Sequence, residues 1–275
     1  MKTLQPVQNS PALWNIPPLR PEDHKYTRGH VLILGGEEMT GAARLAALAA
    51  QRCGSGLVTI AATPKTWPVY ATLMLSVIVG KATANQWQML LADDRIHAVL
   101  IGPGAGVNAR TRNALRAAAR ANKPLILDAD ALTLLATDSK LRADLQHTAK
   151  ILTPHEGEYT RLATALKLDV TANKPTRATA LAKALNAVIV FKGSDTIITD
   201  GIHSCVTHPP AWLATGGTGD VLAGMIAALV GQGMGLYEAA SAAVWLHASA
   251  ANTLGRGMIA EDIIAAIPGI LRTLQ

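Results

Sequence analysis

The chain has 275 residues, 49% hydrophobic and 16% charged, a balance that excludes a disordered polymer and suits one large α/β core. Its net charge of +6 comes from dispersed Lys and Arg residues rather than a strip. It reads as a basic surface that attracts phosphorylated ligands rather than as a nucleic-acid binder, so no nucleic-acid partner is expected.

Residues 1–28 are rich in Pro and polar residues and contain no apolar core of a signal peptide, so they are expected to form an N-terminal arm of a cytoplasmic protein. The arm would pack on the body or on another subunit. Short apolar runs follow at 31–34, 57–61, 98–101, 125–127, 150–152 and 188–191. Each has the length of a strand buried on both faces, as in a parallel sheet. Helices are expected between them at 40–53, 108–121, 176–185, 220–230, 237–254 and 260–271. Gly54 suits the C-terminal end of the first, and Glu261 and Asp262 suit the first turn of the last. Cys53 and Cys205 fit neither a disulfide framework nor a metal-ligand spacing. No run is long enough to cross a bilayer, so no membrane partner is expected. Late in the chain, runs at 196–199 and 203–206 flank Asp200-Gly201, which predicts a β-hairpin and an antiparallel edge. Strand–helix alternation at this spacing predicts a right-handed three-layer α/β fold with a mostly parallel central sheet and helices on both faces. With no linker or repeat, one domain is expected over 1–275.

The stretch 214–224, ATGGTGDVLAG, carries the most chemistry. A glycine-rich turn that opens into a helix leaves backbone N–H groups and the positive end of the dipole free for an anion. Gly217, Thr218 and Gly219 would form an anion hole for a phosphoryl group in flight. Asp220, in the first turn, could accept a proton from an attacking hydroxyl. The alternative is a plain turn with Asp220 as a favourable helix-start charge. No Lys follows the glycines, so this is not a Walker A loop.

The same stretch resembles the GTGD-type segment of the ribokinase-like superfamily, and in this form it is similar to the NAD(P)H-hydrate dehydratase family. Four more segments agree in order: 29–62, the loop Gly102-Pro103-Gly104-Ala105-Gly106, the run Asp128-Ala129-Asp130-Ala131-Leu132, and Thr153-Pro154-His155-Glu156-Gly157-Glu158. Together they span roughly 24–272.

The resemblance implies dehydration of hydrated NADH or NADPH, in the S-form, coupled to ADP, or less favourably ATP, with magnesium. Asp220 would be the catalytic base. Ala42, Gly106, His155 and Asp220 would bind the substrate. Lys192, Gly193, Ser194, Asp195, Thr196 and Gly219 would lie along the nucleotide, with Lys192 placing positive charge on phosphates. Glu158 would organise magnesium through water. A homo-oligomer, a tetramer, is implied, and any epimerase acting on the same metabolite would be a separate chain. Asp128 and Asp130 could hold a metal-bound water or cap the next helix, with Asp130 as N-cap; a supporting structural role is preferred.

The chain departs from the family pattern at 208–213, HPPAWL, where an Asn-Pro-Gly-Met stretch is common. It departs again at Glu37-Glu38, where a small Ser is common. Other readings are a ribokinase-like kinase of a vitamin precursor or sugar, and a nucleotide sensor without turnover.

Overall fold

The computed structural model describes residues 4–274. Its strands are β1 (Val7–Gln8), β2 (His30–Leu34), β3 (Leu57–Ala62), β4 (Ile78–Lys81), β5 (Ala98–Ile101), β6 (Leu125–Leu127), β7 (Lys150–Leu152), β8 (Val188–Phe191), β9 (Thr196–Thr199) and β10 (Ser204–Thr207). Its helices are α1 (Thr40–Arg52), α2 (Trp67–Leu73), α3 (Ala84–Leu91), α4 (Ala109–Arg120), α5 (Asp130–Thr137), α6 (Ser139–Asp144), α7 (Glu156–Ala165), α8 (Lys174–Leu185), α9 (Thr218–Gly231), α10 (Leu236–Leu254) and α11 (Ala260–Arg272). None is long and apolar enough to cross a membrane.

All the strands join one sheet in the order β1-β10-β9-β8-β7-β6-β5-β2-β3-β4. From β2 to β8 the pairing is parallel throughout. The expected hairpin is present: β9 and β10 pair antiparallel, and Gly201 sits in its turn at φ +91°. The pleat sorts the apolar runs onto two faces. Val31 and Ile33 join the core beneath α1, α2, α9, α10 and α11, while Leu32 and Leu34 join the core beneath α3–α8. The three-layer arrangement read from the alternation is therefore what the chain builds.

Aromatic residues are only 4% of the chain, and much of the first layer closes by approach of small residues. α1 buries Ala42, Ala43, Ala46, Ala47, Ala49 and Ala50, and a Cβ on Gly224 of α9 would overlap the Ala46 backbone.

The arm packs on the body. Its Val7–Gln8 strand pairs with β10. Asn9 donates to Thr207 Oγ1 at 3.0 Å and to the Ser241 carbonyl at 2.8 Å, and Trp14 is buried against Trp245 with ring centroids 5.7 Å apart.

Several boundaries differ from expectation for local reasons. α8 begins at Lys174, because Asn173 caps it by accepting from the Thr176 N–H at 3.0 Å and Pro175 follows. α9 begins at Thr218, so the glycine turn ends inside its N-terminus. Asp130 is not an N-cap. Ala129 holds that position with φ +47°, and Asp130 is the first residue of α5.

The strand order reverses between β5 and β2, since β3 and β4 follow outward on one side and β6, β7 and β8 on the other. Ligands in open α/β sheets bind at the carboxyl end of such a switch point. Here the two strand-end loops touch: a Cβ on Gly36, after β2, would overlap the Gly104 carbonyl, after β5. Only glycine permits that approach.

Candidate active site

The chemistry gathers at the N-terminus of α9. Gly217 occupies the N-cap at φ +87°, where a Cβ would meet Leu45 Cδ1 at 2.6 Å. No side chain caps this end. Its first-turn amides are therefore open to an external acceptor. Thr218 does not compete for them, because its hydroxyl donates to the Leu213 and Thr215 carbonyls at 2.8 and 3.0 Å and fixes the turn instead.

Asp220, in the first turn, is partly buried. Burial, with Asp128 and Asp130 adding to it and Lys192 opposing, pushes its carboxyl up to about 6. It thus sits near the range where a carboxylate can both take and release a proton at neutral pH. Lys192, at the end of β8, donates to Asp128 Oδ1 at 3.0 Å. Burial works against its charge, but Asp128, Glu158 and Asp220 outweigh it and hold the ammonium above its ordinary value. Asp128 and Asp130 come from the turn after β6. The left-handed Ala129 between them aims the two carboxylates differently: Asp128 meets Lys192, and Asp130 Oδ2 accepts from the Gly106 N–H at 2.8 Å.

His155 and Glu158 engage each other. His155 is the N-cap of α7, its Nδ1 accepting from the Gly157 and Glu158 amides at 3.0 and 3.3 Å, while Glu158 Oε2 accepts from the His155 N–H at 2.9 Å. His155 remains exposed enough to line a cavity of about 680 Å³ shared with Lys192, Gly193, Ser194, Thr196, Gly216, Thr218 and Gly219. Asp195 is tied down by Lys174, whose ammonium donates to Asp195 Oδ1 at 3.0 Å and to the Lys192 carbonyl at 3.2 Å.

The divergent segment 208–213 forms the opposite wall, through Pro209, Pro210, Ala211 and Leu213. Trp212 anchors it by donating to the Ala251 carbonyl at 2.8 Å.

A second opening, about 690 Å³, lies over the switch point between Gly104–Arg110, Glu37–Met39 and Asp130. It contains Gly106 but not His155, so the structure divides the expected substrate residues between the two openings. Ala42 is buried in the first turn of α1. Glu37 and Glu38 rim this second opening, in keeping with the added negative charge read from their positions.

Two residues were missed by sequence reasoning. Lys174 opens a helix with no chemical pattern around it. His247 lies mid-helix in the Ala-rich α10, where a lone His carries no signal. It lines the first cavity, its Nε2 is buried without a partner, and burial pushes the ring down to about 4.

Among the described residues, no three His, Cys, Asp or Glu side chains cluster as a metal-ligand set. Magnesium is commonly held by one or two carboxylates plus phosphates and waters. The buried carboxylates of Asp128 and Glu158, close enough to Lys192 to bias its charge, are donors of that kind.

The family model described as NAD(P)H-hydrate dehydratase matches residues 31–268. A bifunctional NAD(P)H-hydrate repair enzyme of Coxiella burnetii is 37% identical over 90% of this chain, which spans 51% of that relative's length. An ADP-dependent (S)-NAD(P)H-hydrate dehydratase of Neisseria meningitidis is 34% identical over 90% of this chain and 86% of its own. Among solved structures, the ADP/ATP-dependent NAD(P)H-hydrate dehydratase of Bacillus subtilis, co-crystallised with ATP and Mg2+, superposes with a TM-score of 0.76 at 28% identity. That match covers 94% of each chain.

Proposed function

From the premise that this chain belongs to the NAD(P)H-hydrate dehydratase family, we propose that it dehydrates the S-form of hydrated NADH or NADPH at the expense of ADP. The observation that carries the reading is a carboxyl poised near neutrality, Asp220, in the first turn of a helix whose N-terminal amides are open.

Asp220 takes the proton of the hydroxyl on the damaged ring. The freed oxygen attacks the terminal phosphoryl of the nucleotide, and the bond to the bridging oxygen breaks, releasing AMP. The amides of Gly217, Thr218 and Gly219 and the dipole of α9 hold the charge on the moving phosphoryl group. Lys192, fixed by Asp128, adds positive charge on the same side. The new ester is a good leaving group. The ring nitrogen expels it as phosphate, a ring proton is lost, and the dihydropyridine is restored.

Gly193, Ser194, Asp195 and Thr196 line the nucleotide in this reading, with Gly219 above it. Ala42, Gly106 and His155 flank the substrate. Glu158, with Asp128, would hold magnesium through water, and the ion would neutralise phosphate charge. ADP is preferred to ATP because the Neisseria relative is named ADP-dependent. The family resemblance also supports a cytoplasmic homotetramer.

The test is recovery of dihydronicotinamide absorbance from hydrated NADH with magnesium and either nucleotide. We expect recovery that requires the nucleotide, is faster with ADP, and is lost in Asp220→Ala. A phosphorylated small molecule in place of restored NADH would move the assignment to a kinase of the same fold. Nucleotide binding with no turnover would make the chain a sensor.

A further inference from the structure

Lys174 stands where its own helix does not favour it. It opens α8, at the positive end of the helix dipole, in a first turn that holds no acidic residue. A cation there is disfavoured, so what holds it lies elsewhere in the fold. Its ammonium donates to the Lys192 carbonyl at 3.2 Å, to the Asp195 carbonyl at 2.6 Å and to Asp195 Oδ1 at 3.0 Å. All three of its hydrogens thus have acceptors. The Phe191 ring, stacked on Tyr159, has its centroid 4.7 Å from the ammonium, within reach of a cation–π contact. Only 12% of the side chain is exposed.

The three acceptors belong to one segment. Residues 192–195 join β8 to β9 and wrap the ammonium so closely that a Cβ on Gly193 would overlap it. None of the described peptide bonds is cis, and in a trans peptide the carbonyl and the next N–H point opposite ways. Turning the Lys192 carbonyl onto Lys174 therefore turns the Gly193 N–H away from it. Gly193 lines the cavity at the N-terminus of α9, and Lys174 does not. Among the described residues that N–H has no backbone acceptor. Lys192 is gripped at three points: its N–H donates to the Pro154 carbonyl at 2.8 Å, its carbonyl accepts from Lys174, and its ammonium donates to Asp128.

We propose that Lys174 is a positioning residue for the phosphoryl donor. From behind the loop it fixes residues 192–195 so that the Gly193 N–H and the Lys192 ammonium face the phosphates of the nucleotide. The inference rests on the function proposed above, which places ADP in this cavity. Lys174 itself touches neither the nucleotide nor the hydrate. A contact that only stiffened the β8–β9 connection would change stability and leave the nucleotide indifferent. A clamp that aims an amide and an ammonium changes nucleotide affinity and spares the hydrate.

The experiment uses Lys174→Met, which keeps the stem against Phe191 and removes the ammonium. Calorimetry with ADP and magnesium gives Kd, and turnover gives KM for ADP and for hydrated NADH; urea unfolding shows that the variant is folded. Both ADP constants should rise by about tenfold or more, as expected for lost charge-assisted hydrogen bonds, while KM for the hydrate stays in place. Unchanged ADP constants in a folded variant overturn the clamp, and so does an equal rise in both KM values.

Should Lys174→Met not fold, Lys174→Gln, which keeps an N–H donor against the loop, is read in its place. Weaker ADP binding with KM for the hydrate unchanged sustains the clamp, and wild-type ADP binding overturns it. A wild type that binds ADP without turning over the hydrate ends the dehydratase reading alone, and Kd for ADP in the variants still judges the clamp. A wild type that binds no ADP overturns it.

Discussion

Asp220, as the proposed base, trades stability for chemistry. Its carboxyl is raised from 3.8 to about 6, so at pH 7 the folded protein carries a charge that costs about 3 kcal/mol more than in the unfolded chain. Asp220→Asn should therefore raise stability by roughly 1–3 kcal/mol while lowering turnover about 10²- to 10⁴-fold; urea unfolding and hydrate turnover on the same preparation check both. The same value predicts that kcat/KM falls as pH drops through about 6. Asp128 is one cause of the rise, so Asp128→Asn should move that acid limb to lower pH. It should also destabilise the fold by roughly 2–4 kcal/mol, because Lys192 is left buried without its nearest partner. A limb that stays in place would remove Asp128 from the electrostatics of the base. Asp220 could be picked out of the sequence because a glycine turn opening into a helix is a local pattern. His247 could not, since its place in the cavity depends on α10 packing beside the N-terminus of α9, a tertiary event with no local trace.

At the scale of elements, the turn into α9 depends on Gly217. A side chain there must adopt φ +87° and meet Leu45 and Ala260. Gly217→Ala should cost roughly 1–3 kcal/mol and displace the open amides, lowering kcat more than the stability loss alone explains. Thermal unfolding beside turnover at a temperature where both proteins are folded separates the two effects. The buried strands were legible because each is apolar almost throughout, and the long helices because their Ala- and Leu-rich runs fill the spaces between those strands. The segments from 63 to 95, 130 to 144 and 156 to 165 were not. There α2, β4, α3 and α5–α7 are short, β4 is largely exposed, and their order comes from packing on β3 and on one another. The family likeness named His155 and Glu158 but gave no hint that they cap α7 jointly. The cap requires Nδ1 and Oε2 to point back at backbone amides, a geometry invisible to residue type.

Across the whole molecule, proton binding couples the core to the site. Burial holds His30 and His247 near 4, down from 6.5. Both are neutral in the fold and charged in the unfolded chain between those values. Stability is thus full above pH 6.5 and falls as pH drops toward 4. Asp220 works the other way over the same window, since its raised value returns stability on acidification. Wild type should lose a few kcal/mol between pH 6.5 and 4, and Asp220→Asn should lose more, which denaturant melts at the two pH values would show; equal losses would contradict the Asp220 contribution. The sheet order was not legible at this scale either. Strand lengths and apolar runs predict a parallel sheet, but the reversal between β5 and β2 that opens the site follows from which loops can pack, such as Gly36 on Gly104. In the proposed mechanism, phosphoryl transfer from the nucleotide drives the dehydration at Asp220. The most direct measurement is the ratio of AMP formed to NADH restored, from hydrated NADH and limiting ADP in wild type. A ratio of one, with neither product in Asp220→Asn, is the predicted result. NADH restored without AMP, or AMP formed without hydrated substrate, would contradict it.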